Sequence, residues 1–167
     1  QADLDAALAT YVQPIKSQFR GYDVLECPPN GQGVIALLLL NIMSGIEKFG
    51  DDPINVARMH HEIEAGRLAY RDRSLYLADP EFSDVPVEGL LSPAYADQVR
   101  GLVNPDKAQF DLPLSPLPPH KSTVYVSVVD KDRNACSFIN TVFHTFGAGL
   151  VAPQSGVLFQ CRGQGFV

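Results

Sequence analysis

Hydrophobic and polar residues alternate most regularly in the last third of the chain. Every second residue of 123–129, beginning with Val124, is valine, and the residues between them are of mixed polarity. This period of two predicts a strand with one buried face. A polar, turn-prone stretch at 130–134 separates it from a second β-rich segment at 135–143, and a glycine-rich break follows at 146–149. The pattern therefore predicts two paired strands.

The first two-thirds of the chain shows helical spacing of its apolar residues instead. We expect an opening helix over residues 2–19, limited or kinked by a proline, and then a short strand over 22–27. A second helix is predicted over 34–49. Two more are predicted to begin at Asp52-Pro53 and at Ser92-Pro93 and to end near residues 77 and 102. Both starts combine a typical N-cap residue with proline at the first helical position.

Composition and charge narrow the class of protein. The chain has 167 residues and a formal net charge of −6, which suits one domain with a core and argues against a nucleic-acid partner. The longest apolar stretch, residues 34–40, is far too short to span a bilayer, so we expect no membrane partner. No basic region or signal peptide follows Gln1. Any targeting segment would lie upstream, and the compartment stays unknown from the residues.

Metal binding is not expected. The cysteines are Cys27, Cys136 and Cys161. Their odd number and wide spacing give neither a disulfide framework nor a zinc motif, and we interpret them as small buried apolar residues. His60 and His61 point in different directions on a helix and make a poor metal pair. Glu64, three residues from His61, could share its face, but two ligands do not make a site.

Two further features of the helical region have structural interpretations. The turn Asn30–Gly33 precedes a helix and could cradle an anion, but it matches no nucleotide-binding fingerprint and is more typical of a tight strand-to-helix turn. A set of charged side chains is predicted to form ion pairs that hold the long helix to neighbouring loops. These residues are Arg67, Arg71, Asp72, Arg73 and Asp79.

An ordered set of motifs resembles the γ-glutamyltranspeptidase (γ-glutamyltransferase) family of N-terminal-nucleophile hydrolases. The motifs are Gly21-Tyr-Asp, Pro28-Pro29-x-Gly-x-Gly, Tyr70-Arg-Asp-Arg-Ser-x-Tyr-Leu-Ala-Asp-Pro80, Thr123-x-Tyr-x-Ser-Val-Val-Asp-Lys-Asp-x-Asn-Ala, Phe146-Gly-x-Gly and Ser155-Gly-x-Leu. The resemblance implies a mixed α/β (α+β) chain that forms part of a four-layer αββα fold. It also implies a periplasmic or secreted protein.

The same resemblance implies a domain organisation. Residues 1–122 correspond to the C-terminal part of a large-subunit-like region, and residues 123–167 to the start of a small-subunit-like region. The proline-rich segment 104–120 is an extended connector that delivers the chain to Thr123. A flexible segment before Thr123 suits a peptide bond that is cleaved, because the new chain end must then move away from the nucleophile.

The chemistry implied by the family centres on Thr123. A threonine hydroxyl needs a base, and the α-amino group of a free N-terminal threonine has a pKa near neutrality. That base exists only after autocleavage between Ser122 and Thr123. By correspondence, Thr141 hydrogen-bonds to the Thr123 hydroxyl and helps to activate it. The reaction needs no metal and no organic cofactor, and the substrate is a small-molecule amide, of γ-glutamyl type.

Three positions depart from relatives that bind γ-glutamyl groups. Phe143, Arg162 and Gly165 stand where those relatives have an asparagine, a glutamine and an acidic residue for substrate binding. A buried substrate ammonium without the acid is costly, whereas Arg162 favours a carboxylate. These changes point to an alternative substrate class, that of the glutaryl-type acylases, which resemble cephalosporin acylases.

The resemblance also implies that the chain works with the remaining parts of a parent enzyme. The family continues beyond this point with a glycine pair that forms the oxyanion hole and a serine pair that contacts the substrate. Loss of an oxyanion hole alone costs about a hundredfold to a thousandfold in rate, so we expect these 167 residues by themselves to be inactive or nearly so. A third hypothesis is an unprocessed, non-catalytic relative that serves as a structural domain.

Overall fold

The computed structural model of the chain describes residues 10–46, 49–50, 52, 54–110 and 123–165. It contains both helices and antiparallel strands, which confirms the mixed α/β class. The chain forms two compact units, Gln1–Ser115 and Pro116–Val167. The four-layer arrangement and a boundary between Ser122 and Thr123 remain predictions.

The first unit begins with a hairpin and continues with helices. Its strands are β1 (Ile15–Phe19) and β2 (Tyr22–Glu26), and its helices are α1 (Gly33–Ser44), α2 (Val56–Tyr76), α3 (Val87–Leu90) and α4 (Pro93–Arg100). Arg20 and Gly21 connect the strands with φ angles of 51° and 88°. Two successive residues of positive φ fit the twist of a tight hairpin.

Helix α1 provides the centre of the core. Its apolar residues surround the helix rather than forming one stripe, which is typical of a helix buried on most sides. Val34, Leu38 and Ile42 have no exposed surface. The other buried members of the cluster come from α1, α2 and the segments after it: Ile35, Ala65, Leu68, Ala69, Leu77, Leu90 and Val99.

Helix α2 carries buried charges that contact other elements. Asp72, fully buried, pairs with Arg71 at 2.7 Å and accepts a hydrogen bond from the Tyr95 hydroxyl of α4 at 2.9 Å. The buried Arg73 donates to Gln32 Oε1, just before α1, at 3.0 Å. Polar groups buried in this way need partners, and these partners link α2 to its neighbours.

The predicted ion-pair network is therefore confirmed in part. Arg67 pairs with Glu64 at 2.7 Å rather than with an aspartate of the predicted set. Asp79 accepts from the backbone N–H of Glu81 at 3.0 Å and shapes the loop after α2.

The predicted helix over residues 2–19 is wrong in its described part. Residues 15–19 form β1, with alternate residues partly buried and exposed, and residues 2–9 lie outside the described part of the chain. Proline at 14 provides no backbone donor, and pairing with β2 satisfies the strand's backbone groups. Tertiary pairing thus overrides the helical spacing of the preceding apolar residues.

The predicted start of α2 is also displaced. Asn55, not Asp52, is the N-cap, and its side chain accepts from the backbone N–H of Arg58 at 3.1 Å. Asp52 instead accepts from the N–H of Ile54 at 3.0 Å in the preceding turn. The other cap is confirmed, because Ser92 Oγ accepts from the N–H of Tyr95 at 3.2 Å at the start of α4.

The remaining predictions for this unit are met within a few residues. The predicted strand over 22–27 is β2, and the predicted helix over 34–49 is α1, which ends at Ser44. Of the proline-rich segment, only residues 104–110 are described. They contact α2, since His60 Nε2 lies 2.8 Å from the carbonyl oxygen of Asn104, and Glu64 accepts from the Gln109 N–H at 3.0 Å.

The second unit is built on a second antiparallel hairpin. Its strands are β3 (Thr123–Val129) and β4 (Ala135–Thr141), paired residue for residue from Thr123↔Thr141 to Val129↔Ala135. At the turn, the Asp130 carboxylate accepts from both N–H groups of Asn134, backbone and side chain, each at 2.9 Å. The hydrogen bond from the Asn134 side chain is the largest cause of a lowered Asp130 pKa. The two paired strands are thus confirmed.

The expectation of a buried strand face is wrong within the described structure. Val124, Val126 and Val128 are 61%, 43% and 55% exposed. A period of two shows that two faces differ in polarity, but it does not provide the element that covers the apolar one. Within the second unit, none of the described residues buries this valine face.

Candidate active site

Two threonine hydroxyls meet at the open end of the second hairpin. Thr123 is the first residue of β3, Thr141 is the last of β4, and the two are directly opposite in register. Opposed residues of an antiparallel pair point to the same face. Their Oγ1 atoms lie 3.1 Å apart, within hydrogen-bonding distance, and either hydroxyl could donate. The two residues, called here the threonine pair, are the predicted nucleophile and its predicted partner.

The backbone just after β4 orients Thr141. The N–H of Phe143 donates to Thr141 Oγ1 at 2.9 Å. Phe143 has a φ of 77°, a value that residues other than glycine rarely adopt. The chain thus bends sharply at Phe143, and this bend turns the N–H back toward the hydroxyl. No local pattern in the sequence indicates this contact.

The Phe143 side chain links the threonine pair to Arg162. Its ring is only 7% exposed. The Arg162 guanidinium carbon lies 5.2 Å from the centroid of the Phe143 ring. The His144 ring packs edge-to-face against the same Phe143 ring, with the two centroids 4.7 Å apart. A cation within about 6 Å of an aromatic centroid is attracted to the ring. Phe143 and Arg162, distant in sequence, are therefore neighbours.

The returning chain brings Arg162 to this place. The N–H of Cys161 donates to the carbonyl oxygen of Val142 at 3.1 Å, and the N–H of Phe159 donates to the carbonyl oxygen of Leu150 at 2.9 Å. Gly147 makes the close approach possible. It has a φ of 52°, and a Cβ there would overlap the carbonyl oxygen of Phe159. This explains the glycine of the Phe146-Gly motif in structural terms.

The other predicted site residues have different positions. Gly165 ends a short 3₁₀ helix, Arg162–Gly165, that follows Cys161 directly. Having no side chain, it provides no acid. Ser122, on the other side of the predicted cleavage point, lies outside the described residues. The structure thus brings together Thr123, Thr141, Phe143 and Arg162, while their catalytic and binding roles remain predictions.

Charge is distributed unevenly over the second unit. No aspartate or glutamate occurs from Asn134 to Val167, where Arg162 is the single arginine or lysine. Asp130 and Asp132 belong to the turn at the far end of β3. At about 3.4 Å per residue, this turn is roughly 20 Å along the strand from Thr123. Within the described residues of this unit, both acidic side chains therefore lie at the turn end of the hairpin, away from Thr123.

The part of the chain that the structure describes shows no candidate metal site. That part contains no group of three or more His, Cys, Asp or Glu side chains arranged to hold an ion. His61 Nδ1 lies 2.8 Å from the Ala57 carbonyl within α2. The cysteines are unpaired, and Cys27 and Cys136 are exposed. Interpreting these two as buried apolar residues was therefore wrong, since each lies on a hairpin or beside one.

The glycine turn before α1 is a close structural junction. A Cβ on Gly33 would lie 2.7 Å from the Cβ of Glu26 and 2.9 Å from its carboxylate oxygen. Glu26 thus packs against the start of α1, where an anion would otherwise be held. This arrangement favours the tight strand-to-helix turn over an anion cradle. Among the helices described, none has the length and apolarity needed to cross a membrane.

Comparison with known proteins gives the family. A family profile described as Gamma-glutamyltranspeptidase matches residues 1–167. A "Glutathione hydrolase proenzyme" of Pseudomonas sp. (strain A14) is 38% identical over 95% of this chain and 28% of its own length. The "Glutathione hydrolase-like YwrD proenzyme" of Bacillus subtilis (strain 168) is 34% identical over 98% of this chain and 30% of its own.

A solved structure agrees with these relatives. The crystal structure of cephalosporin acylase from Bacillus halodurans has a TM-score of 0.75 and 38% identity, and the match covers 97% of this chain and 28% of the acylase. The chain belongs to the gamma-glutamyltranspeptidase family, as its motifs predicted. It spans less than a third of the length of these relatives.

Proposed function

We propose that this chain is part of an amide hydrolase or acyl transferase of γ-glutamyltransferase type, with Thr123 as its nucleophile. The observation that carries the proposal is the 3.1 Å contact between Thr123 Oγ1 and Thr141 Oγ1 at the open end of the hairpin. Nucleophile and activating group must lie within hydrogen-bonding distance. In this proposal the remaining parts of a longer polypeptide complete a four-layer αββα fold.

The first step releases the nucleophile. The Thr123 hydroxyl adds to the carbonyl carbon of Ser122, the bond from that carbon to the Thr123 nitrogen breaks, and an ester forms. Water hydrolyses this ester, leaving a carboxylate on Ser122 and restoring the Thr123 hydroxyl. The new α-amino group has a pKa of about 7.7–8.0 in unperturbed form, so a useful fraction is uncharged near neutral pH.

The second step is turnover. The free α-amino group accepts the hydroxyl proton while Thr123 Oγ1 attacks the carbonyl carbon of a substrate amide. The amine leaves with a proton, and the acyl group remains on Thr123 as an ester. Water then gives hydrolysis, whereas an acceptor amine gives transfer. No metal or organic cofactor has a part in either step.

Thr141 assists both steps from the opposite strand. The Phe143 N–H donates to the Thr141 oxygen at 2.9 Å, which helps to hold that oxygen in place 3.1 Å from Thr123 Oγ1. A hydrogen bond from a fixed neighbour orients the attacking oxygen and stabilises negative charge as it develops there.

Two acyl classes agree with the relatives. Relatives named glutathione hydrolases suggest γ-glutamyl amides, and the cephalosporin acylase neighbour suggests glutaryl-like amides. Both use the same nucleophile and differ in the group at the far end of the acyl chain. Hydrolysis of a γ-glutamyl anilide and of its glutaryl counterpart separates the two.

The test is the intact mass of the full-length protein containing this sequence, measured after incubation near neutral pH. Two fragments that meet between Ser122 and Thr123 are expected. One uncut mass under all conditions, with no turnover of amides, would contradict the proposal and favour the third hypothesis, that of an unprocessed structural domain. The variant Thr123→Ala distinguishes them further, since it changes the mass pattern only if Thr123 performs the cleavage.

A further inference from the structure

An open cavity of about 270 Å³ lies within the first unit, between strand β1, the end of helix α1 and helix α4. Polar side chains make up most of its lining, and they include Lys16, Ser17, Asp97 and Arg100. Liquid water takes about 30 Å³ per molecule, so the space corresponds to roughly nine waters. A cavity of this size suits a small polar molecule.

The Ser17 hydroxyl has no partner in this cavity wall. Its Oγ atom is buried without a hydrogen bond, and no other buried side-chain nitrogen or oxygen among the described residues has this property. Its neighbours on β1 are engaged elsewhere, since Lys16 and Gln18 both donate to the Asp23 carboxylate, at 3.2 and 3.0 Å. Buried hydroxyls in native structures are normally hydrogen-bonded. A molecule bound in the cavity would supply the missing partner.

Arg100 is held in place on the opposite wall. Its Nε and Nη2 donate to the carbonyl oxygens of Ile42 and Asn41, at 2.7 and 2.8 Å, and its Nη1 donates to Asp97. Gly45 makes this position possible, because a Cβ there would overlap the guanidinium. A guanidinium has five N–H donors, so these contacts do not use all of them. Arg100 therefore retains donors for a ligand.

The cavity offers charges of both signs. Asp97 pairs with Arg100 but keeps 70% of its side chain exposed. Lys16 adds a second positive charge, partly offset by its pair with Asp23. A simple anion would be repelled by Asp97, and a simple cation by Arg100 and Lys16. A molecule that carries both an ammonium and a carboxylate group matches this lining better than either.

We propose that this cavity binds a small zwitterion, such as a free α-amino acid. Its carboxylate accepts hydrogen bonds from Ser17 and Arg100, and its ammonium group donates to Asp97. This inference does not rest on the proposed function, because every residue that it uses belongs to the first unit and none to the threonine pair.

Calorimetric titration of the full-length protein that contains this sequence tests the inference. The probes are alanine, which carries both charges, N-acetylalanine, which lacks the ammonium group, and the amide of alanine, which lacks the carboxylate. Alanine should bind with a dissociation constant below about 1 mM. Each analogue should bind at least about tenfold more weakly, because a hydrogen bond to a charged group is lost. No binding of alanine in this range, or equal binding of the three probes, overturns the inference.

Variants locate the site. Asp97→Asn should weaken alanine binding about 10- to 100-fold and leave the binding of N-acetylalanine as it is. Ser17→Val replaces the hydroxyl with an apolar group of a residue type that strands favour, and it should abolish alanine binding. Asp84→Asn is the matched control, because it removes a negative charge from an exposed position of the same unit outside the cavity. Alanine binding that is unchanged in both cavity variants lies elsewhere and overturns the inference.

Thermal unfolding provides a second readout and checks that the variants fold. Because the Ser17 hydroxyl has no partner, Ser17→Val should unfold at the temperature of the parent or above it. Added alanine should raise the unfolding temperature of the parent and of Asp84→Asn but leave that of Ser17→Val unchanged. An equal rise in all of these proteins overturns the inference. If Ser17→Val does not fold, Asp97→Asn, which changes a mostly exposed side chain, decides between the outcomes.

Discussion

The two compact units of this chain differ in where they place their polar side chains. In the first unit, α2 buries Asp72 and Arg73 against partners on α4 and before α1. In the second unit, Thr123 lies exposed at the end of a hairpin whose strands are open to solvent. The buried groups join elements of the core, whereas the exposed Thr123 hydroxyl belongs to the proposed site.

This difference implies that stability and chemistry depend on separate residues. Removing a buried group leaves a cavity or an unpaired charge in the helical unit. Removing the Thr123 hydroxyl takes away the proposed nucleophile but little packing. Four substitutions test this separation, and they are ordered here by the size of the expected effect.

Thr123→Ala should have the largest effect, and on function alone. Loss of the nucleophile should abolish cleavage and lower amide turnover at least about a thousandfold. Because the side chain is exposed, the free energy of unfolding should change by less than about 0.5 kcal/mol. Intact mass, an amide assay and urea unfolding provide the measurements. Thr123→Ser keeps a hydroxyl and should still cleave. A Thr123→Ala protein that still cleaves and turns over amides would contradict the separation.

Leu38→Ala should have the converse effect. Leu38 has no exposed surface and belongs to the core cluster around α1. Truncation of such a leucine costs about 2–5 kcal/mol through lost burial and a cavity. Urea unfolding measures this change. The control is Val128→Ala in β3, where the side chain is 55% exposed and the cost should stay below about 1 kcal/mol. Equal costs at both positions would show that the hairpin is as well packed as the helical unit.

Glu64→Gln should reveal a stabilising charge within the helical unit. Burial opposes ionisation of Glu64, but the hydrogen bonds from Arg67 and from the Gln109 N–H, with the charge of Arg67, hold its pKa below the usual 4.5. A carboxyl group with a lowered folded pKa stabilises the fold fully above 4.5, and this stabilisation is lost as the pH falls toward the folded pKa. Glu64→Gln should therefore cost about 1–3 kcal/mol at pH 7 and less at pH 4.

The control for Glu64 lies on the same helix. Glu62 pairs with Arg58 at 2.7 Å, but its side chain is 43% exposed. Such a pair contributes about 0.3–0.5 kcal/mol, so Glu62→Gln should be nearly silent at either pH. If the two variants behave alike in urea titrations at pH 7 and pH 4, burial does not distinguish the two pairs.

Tyr95→Phe should have the smallest effect, of about 1 kcal/mol at pH 7, through loss of the hydrogen bond to Asp72. Burial, with the Asp72 carboxylate, raises the pKa of Tyr95 to about 12 from 10. A phenol with a raised folded pKa stabilises the fold fully below 10, and this contribution is lost as the pH rises toward 12. The variant should lose less stability than the parent between pH 9 and pH 11. Tyr22→Phe, at a position 75% exposed, should follow the parent.

Local signals in the sequence predicted much of this fold. The period of two identified β3, and the β-rich composition of the next segment identified β4. The observed register of these strands puts Thr141 opposite Thr123. The cap at Ser92 was recognisable because its oxygen bonds the backbone within the next turn. The prediction that Thr141 partners Thr123 came from the family resemblance and not from these local features.

Other predictions failed where a distant partner decides the conformation. Residues 15–19 are a strand because β2 pairs with them, and helical spacing upstream does not indicate that pairing. The N-cap of α2 is Asn55 rather than Asp52, although both residue types are good caps. The exposure of Val124 and its neighbours likewise depends on what covers the sheet, which an alternating pattern does not contain.

The sequence by itself determined the family, the mixed α/β class, the hairpin with its threonines and the absence of acids after residue 133. These follow from residue types and short-range spacing. Only the tertiary structure decided that Phe143 bends its N–H onto Thr141 and presents its ring to Arg162. That arrangement requires the chain to return along Val142 through a turn closed at Gly147. Such contacts arise from packing between distant segments, and no local pattern encodes them.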